Sequence, residues 1–378
     1  MNAQETDVTL SVIVPVYNVA RYIRDCLNSL TAQSADGVEI VCVDDGSTDG
    51  SMDIVESIGN GDARVKTHYN EHAGPGATRN TGLAHALGRY VLFVDSDDML
   101  AEGAMETLIA RADELNTDIL CFGGETVYET PELEKSHPQF RDAYRRKTGS
   151  TEVMTGPELL VFMRDAKDYK PSCVMQIYSR EFIEKYGLHF EEGIIHEDRL
   201  FVFATLLRAK RAAVLDKPLY VRRIREGSIM TTPRSFDNVY GYYVAMNEML
   251  RVLKDIEPGT HLEEKEYLAA FHTIRGTCNL SAKMYDLVDN DDMALKMSGV
   301  NPFDRAFMDL TVQPAWRNRA LIEKKEQLKE KISEQKALIS ELKKQQRELE
   351  RIKKSFSYRL GRALTALPRR LRAVIKRN

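Results

Sequence analysis

The sequence predicts an α/β protein whose first 100 residues form a doubly wound, mostly parallel sheet. Two observations support this class: short apolar runs that suit buried strands alternate with segments of helical spacing, and polar clusters follow several of the apolar runs. In such sheets, ligands bind outside the carboxyl ends of the strands. The chain has 378 residues, more than one typical domain, so we expect two domains and an appendage.

The composition is that of a globular protein and argues against several other classes. Hydrophobic residues make up 43% and charged residues 29% of the chain, and the net charge of −4 argues against a wholly nucleic-acid-binding protein. The five cysteines are scattered without CxxC spacing, which favours reduced thiols in a cytoplasm. The first residues lack the features of a signal peptide, and no apolar run approaches the ~18 residues of a membrane span.

The elements of the first 125 residues follow from these patterns. The predicted strands are the apolar runs at residues 10–16, 38–43, 65–69, 91–94 and 118–123. The predicted helices, whose apolar residues recur at helical spacing, lie at 19–32, around 54–58, at 78–87 and at 102–115. Pro15 lies near the end of the first strand and predicts a sheet edge or a strand terminus, where its missing N–H does no harm.

Acidic residues follow two of these strands, at residues 44–45 and 95–98, the latter with the sequence DSDD. Carboxylates so close together repel one another, and their hard oxygen atoms suit Mg²⁺ or Mn²⁺, so a cation site is one interpretation. The alternative is a polar turn that caps the next helix. Because the carboxyl ends of parallel strands share one edge of the sheet, both clusters and Tyr17 are expected to converge there, which favours a ligand site.

Four segments carry a resemblance to a known family: SVIVPVYN, EIVCVDDGSTDGS, GPGATRNTGLAHALGRY and VLFVDSDD, in this order within residues 9–125. They resemble the nucleotide-binding half of the family 2 glycosyltransferases, which have the GT-A fold. The resemblance implies an inverting transfer of a sugar from a nucleotide-diphosphate sugar, usually a UDP-sugar, with Mn²⁺ or Mg²⁺ at the DxD motif. A cation there stabilises the diphosphate leaving group as its charge develops.

The resemblance also implies roles for individual residues of the donor site. Pro15, Val16 and Tyr17 are implied to line the base pocket, Asp44 to bond the base, and Asp45 to bind the nucleotide. Those implied near the nucleotide, ribose and metal are Arg79, Asp95 and Asp97, with a metal contact by Asp98 left open. Loop capping is the alternative for Asp44 and Asp45, and a surface charge on a helix is the alternative for Arg79.

The acceptor side is less regular, and residues 125–155 form a polar insertion in which the sequence places no elements. Further along, His196, Glu197 and Asp198 precede an amphipathic run at residues 200–207 that predicts a helix. One interpretation is an acidic pair that the helix macrodipole stabilises. The other is a catalytic base, which accepts the proton of the acceptor hydroxyl. The resemblance assigns that role to Asp198, with Glu197 as the second choice.

The segment YVRRIREGSIM ends a strand predicted at residues 214–220. In the family that it resembles, such a segment is a mobile loop that closes over the diphosphate, which assigns Arg223, Arg225 and Ser228 to the phosphates. Guanidinium groups suit phosphate oxygen atoms, and Gly227 permits closure. An ordinary basic hairpin is the alternative. No QxxRW motif follows, which favours addition of one or a few sugars over polymerisation.

The rest of the chain is predicted to be helical. Residues 236–317 form a helical domain, and a seven-residue apolar spacing within residues 318–354 predicts a coiled coil, which allows a homo-oligomer; a long solvated helix is the alternative. Residues 355–378 form a basic amphipathic tail, and from Arg351 to the end there are ten Lys or Arg and no acidic residue. Such a tail suits an anionic membrane surface, with nucleic acid as the disfavoured rival.

Together these predictions describe a glycosyltransferase in the cytoplasm, peripherally attached to the inner face of the cell membrane. The GT-A domain covers residues 1–235, with a nucleotide-binding half at about 9–125 and an acceptor half at about 126–235. The expected donor is a UDP-hexose or UDP-N-acetylhexosamine, and the expected acceptor is lipid-linked or a cell-surface polysaccharide or teichoic-acid-type polymer. A membrane-attached scaffold with a vestigial transferase domain is one alternative. A nucleotidyltransferase, which would release pyrophosphate, is another.

Overall fold

The structure is a computed structural model that describes residues 8–228, 231–256, 262–285, 287–288, 290–354 and 359. The chain divides into two compact units, Met1–Trp316 and Arg317–Asn378. The first unit contains the sheet, and the described part of the second unit is helical. The domain boundaries within the first unit stay predictions.

Nine strands of the described residues form one mixed sheet. They are Leu10–Val16 (β1), Val38–Asp44 (β2), Val65–Tyr69 (β3), Tyr90–Phe93 (β4), Met99–Leu100 (β5), Ile119–Tyr128 (β6), Ser150–Met154 (β7), Gln176–Ser179 (β8) and Ala212–Ile224 (β9). The sheet order is β3-β2-β1-β4-β8-β6-β9-β5, with β7 paired to β9. The parallel sheet predicted for the first part of the chain is confirmed, because β3, β2, β1 and β4 pair in parallel. β8 lies between β4 and β6 and is antiparallel to both.

The helices of the described residues are Ile23–Thr31 (α1), Ser51–Gly59 (α2), Pro75–His85 (α3), Ala104–Leu115 (α4), Pro131–Ser136 (α5), Gly156–Asp165 (α6), Arg180–Lys185 (α7), Glu197–Arg208 (α8), Phe236–Lys254 (α9), Glu264–Tyr285 (α10), Asn290–Met297 (α11) and Pro302–Lys354 (α12). The first three helices each follow a strand, which confirms the predicted alternation. The buried side of α1 consists of apolar residues at helical spacing, namely Ile23, Cys26, Leu27 and Leu30.

Pro15 lies in a central strand, so the edge position that the sequence allowed is wrong and the strand-terminus position is right. β1 pairs with β2 along its whole length but with β4 only as far as Ile13. The carbonyl of Ile13 accepts the N–H of Val94. Because residues two apart in a strand present their backbone to the same neighbour, Pro15 faces the side where β4 has already ended at Phe93. The missing N–H therefore leaves no pairing partner unsatisfied.

Residues 125–155 contain elements that the sequence did not predict. β6 continues to Tyr128, α5 follows, and β7 pairs with β9. In the outer half of β6, from Glu125 onward, exposed and half-buried residues alternate, so the segment carries too few apolar residues to read as a buried strand. β9, its neighbour, continues to Ile224. Arg223 therefore lies on a strand, whereas the sequence placed it in a loop.

Aromatic side chains support the end of β4 from within the core. The ring centroid of Phe93 lies 5.1 Å from that of Phe190 and 6.0 Å from that of Tyr178, both edge to face. Phe190 in turn stacks on Phe201 of α8 at 4.0 Å. These buried contacts hold the acidic loop after β4 close to the start of α8.

α12 is a helix of 53 residues. Leu338, Ile339, Leu342 and Leu349, which belong to the second unit, are each more than half exposed, at 60%, 51%, 56% and 55%. The helix is confirmed, while its pairing with another helix in a coiled coil stays a prediction. The basic tail at 355–378 lies outside the described residues except for Arg359. None of the helices in the described part of the chain combines the length and apolar character that a bilayer crossing requires.

Candidate active site

A cavity of about 520 Å³ opens at the carboxyl ends of β1, β2 and β4. Except for Asp44, the predicted site residues line it: Pro15, Val16, Tyr17, Asp45, Arg79, Asp95, Asp97, Glu197, Asp198, Arg223, Arg225 and Ser228. These residues come from six separate parts of the chain. Their convergence is therefore a product of the fold, at the edge of the sheet where parallel strands place ligands.

Tyr17 and His72 form an aromatic wall of this cavity. Their ring centroids are 4.3 Å apart, and the ring planes differ by 22°. Asp45 holds the loop that carries His72, because its carboxylate lies 2.9 Å from His72 Nδ1 and accepts the backbone N–H groups of Ala73 and Gly74. Tyr17 is 45% exposed, so its ring offers surface to a flat ligand such as a base.

Asp44 is buried and does not line the cavity. Its two carboxylate oxygen atoms lie 3.1 and 3.2 Å from the backbone nitrogen of Ser47, whose N–H they accept. This contact fixes the turn between β2 and α2. It is the contact that the capping alternative predicts, so binding of the base by Asp44 stays a prediction.

Arg79 of α3 joins two segments that are far apart in the sequence. Its Nη2 lies 2.8 Å from Asp95 Oδ1, and its Nη1 donates to Glu197 at the start of α8. Arg79 is only 7% exposed, so the surface-charge alternative is wrong. α3 approaches this region closely because Gly76 has no side chain: a Cβ there would lie 2.4 Å from the carbonyl oxygen of Glu191.

The three acids of the DSDD loop have different surroundings. Asp98 is 4% exposed, and its carboxylate accepts the hydroxyl of Tyr220 and the backbone N–H of Arg223, both at 2.7 Å. Burial and the neighbouring acids Asp97 and Asp95 raise the pKa of Asp98 well above its usual range. Because both of its oxygen atoms accept bonds from β9, Asp98 anchors the loop to the sheet.

Asp97 and Asp95 present carboxylates to the cavity. Asp97 Oδ2 lies 2.7 Å from Arg225 Nε, and burial, together with Asp95, raises the pKa of Asp97. Each acid keeps one oxygen atom that accepts no hydrogen bond from the described side chains. Among the described residues, no group of three or more His, Cys, Asp or Glu surrounds one point. Two carboxylates fit a Mg²⁺ or Mn²⁺ ion that takes its other ligands from phosphates and water.

The pair Glu197–Asp198 lies in the first turn of α8. Glu197 is buried, and its carboxylate forms an ion pair with Arg79. Asp198 is half-buried, lines the cavity and accepts no hydrogen bond from any residue that the structure describes. Burial, and secondly the charge of Glu197, raise the pKa of Asp198 to about 7. A carboxylate with this pKa is suited to accept a proton near neutral pH.

His196, which precedes the pair, is held by helix α9. Its Nε2 lies 3.1 Å from Asn238 Nδ2, and its ring stacks on Tyr242 with centroids 3.9 Å apart. Burial, together with Arg199 and Arg234, lowers the pKa of His196 to about 3. The neutral ring is therefore a structural neighbour of Asp198.

Three arginines at the end of β9 line the cavity, and an aromatic ring supports two of them. The Cζ atoms of Arg223 and Arg225 lie 5.3 and 4.7 Å from the ring centroid of Tyr22. Arg223 also pairs with Asp25 at 2.9 Å. Arg222, the third arginine, instead lies over the rings of Phe140 and Tyr144. The loop that the sequence predicted begins after Ile224, and its residues 229–230 lie outside the described part of the chain.

Sequence reasoning missed several residues that line or support the site, among them Tyr22, His72, Tyr144, Ser172 and Arg222. His72 was within reach, because it follows β3 as the identified residues follow β1 and β2. Alternation along β9 could have shown that Arg222 and Arg223 face opposite sides of the strand. Tyr144 lies in the polar insertion, where the sequence indicated no element and hence no direction for a side chain.

Comparisons with known proteins agree with this architecture. The model of the family "Glycosyl transferase family 2" matches residues 11–187. The chain is 30% identical over 251 residues to the uncharacterized glycosyltransferase EpsJ of Bacillus subtilis, a match that covers 64% of this chain and 66% of that protein. It is 31% identical over 248 residues to the uncharacterized glycosyltransferase YibD of Escherichia coli, covering 65% of this chain and 70% of that protein.

A third relative has solved structures. The chain is 34% identical over 228 residues to TarS of Staphylococcus aureus, a poly(ribitol-phosphate) beta-N-acetylglucosaminyltransferase, with 59% of this chain and 37% of TarS covered. The crystal structure of TarS residues 1–349 in complex with UDP-GlcNAc superposes with a TM-score of 0.55 at 25% identity, over 82% of this chain and 90% of that one. The chain therefore belongs to glycosyl transferase family 2, as a glycosyltransferase with the GT-A fold.

Proposed function

We propose that the protein transfers a hexose or an N-acetylhexosamine, with inversion, from a UDP-sugar to a lipid-linked or cell-surface polymer acceptor. One observation carries the proposal: a single cavity of about 520 Å³ contains two carboxylates suited to a divalent cation and a third, Asp198, suited to act as a base. The UDP-GlcNAc complex of TarS supports a UDP-sugar as the donor class. The name of TarS, a poly(ribitol-phosphate) beta-N-acetylglucosaminyltransferase, supports a polymer as the acceptor class.

The donor half of the proposal assigns the nucleotide to the ends of β1, β2 and β4. Tyr17, with Pro15 and Val16 beside it, provides the surface for the base. Asp95 and Asp97 would hold Mn²⁺ or Mg²⁺, which neutralises the charge that develops on the diphosphate. Arg223, Arg225 and Ser228 donate to phosphate oxygen atoms, and two guanidinium groups suit this task because each presents a planar set of donors.

The acceptor half of the proposal assigns the base to Asp198. Its carboxylate, which accepts no hydrogen bond from the described residues, would take the proton of the acceptor hydroxyl as that oxygen attacks the anomeric carbon from the face opposite the leaving diphosphate. Glu197 cannot share this task without giving up Arg79, so we assign it a positioning role. Neutral His196 packs beside the base and neither donates nor accepts the transferred proton.

Attachment and assembly are further parts of the proposal and rest on the sequence. The basic tail at 355–378 would bind an anionic membrane surface, which suits an acceptor that is itself attached to the membrane. The exposed leucines of α12 would pair in a coiled coil, which allows a homo-oligomer. Transfer of one or a few sugars is expected, since the QxxRW motif of processive synthases is absent from the sequence.

Calorimetric titration of UDP, with GDP for comparison, tests the proposal. The titrations are made with and without Mn²⁺ on wild type, on Asp97→Ala and on Asp53→Ala, a matched control in which an exposed acid of α2 is lost. We expect UDP to bind only weakly without Mn²⁺, and we expect Asp97→Ala but not Asp53→Ala to remove the gain that Mn²⁺ provides. If wild type binds neither nucleotide in the presence of Mn²⁺, the transferase site is vestigial. Release of pyrophosphate during turnover would identify a nucleotidyltransferase instead.

A further inference from the structure

Arg222 has an environment unlike that of the other two arginines at the end of β9. Arg223 pairs with Asp25, and Arg225 pairs with Asp97. Arg222 is half-buried and lines the cavity, yet it forms no ion pair with any carboxylate in the part of the chain that the structure describes. Its guanidinium group thus brings to the site several N–H donors and a positive charge that no carboxylate of the described residues neutralises.

Two aromatic rings hold Arg222 in place. Its Cζ lies 4.7 Å from the ring centroid of Tyr144 and 5.1 Å from that of Phe140. The segment that carries these rings is tied to β6, because the hydroxyl of Thr126 donates to the carbonyl of Phe140 at 2.8 Å. Cation–π contacts stabilise a guanidinium group through its flat faces and leave the N–H groups at its edge free to donate.

Polar groups beside Arg222 add hydrogen-bond donors that an anion could use. The hydroxyl oxygen of Tyr144 lies 3.3 Å from that of Ser172, and both residues line the cavity. Because one of these hydroxyl groups donates to the other, the second keeps its O–H for an incoming oxygen atom. A preoriented guanidinium group next to a hydroxyl donor is a combination that suits a phosphate.

The position of this subsite distinguishes it from the donor site. The proposed donor contacts already include Arg223, Arg225, Ser228 and a divalent cation for the diphosphate. Arg222 faces away from Arg223 along β9 and contacts the insertion at residues 125–155, on the acceptor half of the domain. A phosphate at Arg222 is thus one that the donor does not supply.

We infer that Arg222, Tyr144 and Ser172 bind a phosphate group of the acceptor, so that the acceptor substrate carries phosphate close to the hydroxyl that is glycosylated. The inference rests on the proposed function and narrows its acceptor class. Two sources of phosphate share this chemistry, a phosphodiester in a polymer and the diphosphate of a lipid carrier.

The test measures acceptor-side binding with the donor side filled. Wild type, Arg222→Gln, Arg222→Lys and the control Lys217→Gln are saturated with UDP and Mn²⁺, after their affinity for UDP has been measured. Lys217 is an exposed residue of β9 that does not line this cavity, so the control removes the same charge elsewhere. Each protein is then titrated with a glycerol-phosphate tetramer, with geranyl diphosphate and with neutral maltotetraose.

We expect wild type and Lys217→Gln to bind one of the two phosphate probes at least tenfold more tightly than maltotetraose. The probe that binds identifies the source of the phosphate. Arg222→Gln should weaken that binding by about 10- to 100-fold, the usual effect of losing a charged hydrogen bond, and change the UDP affinity less than twofold. Arg222→Lys should lie between the two, because it keeps the charge but loses the planar set of donors.

Three results would overturn the inference. The first is wild-type affinity for the phosphate probes no higher than for maltotetraose. The second is a loss of UDP affinity in Arg222→Gln, which would place Arg222 on the donor. The third is an Arg222→Gln protein that binds the phosphate probe as tightly as wild type does, which would reduce Arg222 to a packing role against Tyr144. A wild-type protein that fails to bind UDP at all would instead contradict the proposed function.

Discussion

Arg225 and a metal ion compete for the same carboxylate in the proposed mechanism. In the structure, Arg225 Nε lies 2.7 Å from Asp97 Oδ2, and the two side chains are only 17% and 20% exposed. Asp97 is also the proposed metal ligand. A cation that approaches the nucleotide-free site must therefore displace the guanidinium group or share Asp97 with it. Replacing Arg225 by Gln removes this competitor and should tighten the binding of Mn²⁺ in the absence of nucleotide.

The magnitude follows from the geometry of the pair. At an effective dielectric constant of ~20, two unit charges at 2.7 Å attract each other by about 6 kcal/mol, most of which desolvation offsets. The net value of a hydrogen bond between charged groups is about 1.5–3 kcal/mol, which corresponds to about 10- to 150-fold in a dissociation constant. We expect an effect near the lower end of this range, because the ring of Tyr22 can hold Arg225 after it leaves Asp97.

Free Mn²⁺, measured by electron paramagnetic resonance, gives the metal affinity without any requirement for activity. Arg21→Gln is a matched control: Arg21 contacts the same Tyr22 ring, but its ion pair is with Glu129. Arg225→Gln should bind Mn²⁺ about tenfold more tightly than wild type and the control, and bind UDP with Mn²⁺ less tightly, since a phosphate donor is lost. Unchanged or weaker Mn²⁺ binding in Arg225→Gln would refute the competition.

Three further predictions test the base, its ionisation and its support. Asp198→Asn should reduce transfer by about 10²- to 10⁴-fold while UDP binds as in wild type; retained transfer would move the base to Glu197 or elsewhere. The base acts only when deprotonated, and the pKa of Asp198 is raised to about 7. We therefore expect kcat/KM to fall about tenfold for each pH unit below 7. A kcat/KM that stays constant down to pH 5 would contradict this ionisation. Arg79→Met should lower the free energy of unfolding in urea by about 3–5 kcal/mol, because it leaves Glu197 as an unpaired buried acid. The double variant with Glu197→Gln should recover part of this lost stability.

A fifth prediction concerns the membrane. Deleting residues 351–378 should abolish binding to anionic liposomes and leave the affinity for UDP unchanged, because that segment carries ten cationic and no acidic residues. Liposome binding that survives the deletion would rule out the tail as the membrane-binding element.

The first half of the fold was predictable because its strands are buried on both faces. β1, β2 and β4 are mostly apolar runs, broken only by Ser11 in β1 and by Glu39 and the terminal Asp44 in β2. A run of that kind can be recognised without knowing its neighbours. The outer half of β6 and the end of β9 were not predictable in this way. Their residues are partly exposed and gain their strand conformation from pairing with each other, over positions about 100 residues apart in the sequence.

The site shows the same division between local and non-local information. Asp95, Asp97 and Tyr17 could be identified because they follow recognisable strands. Tyr22 could not, because its importance lies in its contacts with Arg223, at the end of a distant strand, and with Arg225, just after that strand. A tyrosine at the start of a helix carries no sign of these partners. Asp44 is the opposite case. Its position in a family motif predicts a contact with the base, but its carboxylate accepts the N–H of Ser47 in its own loop.

The choice between the two acids of α8 illustrates how surroundings give adjacent residues different chemistry. Glu197 and Asp198 share one turn of one helix, and the sequence separates them only through the family resemblance. In the fold, Arg79 forms ion pairs with both Glu197 and Asp95. Arg79 therefore neutralises the charge of Glu197 and connects the donor half to the acceptor half. Asp198 receives no such partner from the described residues, and the charge of Glu197 beside it helps to raise its pKa. Two acids whose surroundings separate their ionisation can divide the work, one holding the site together and the other accepting a proton.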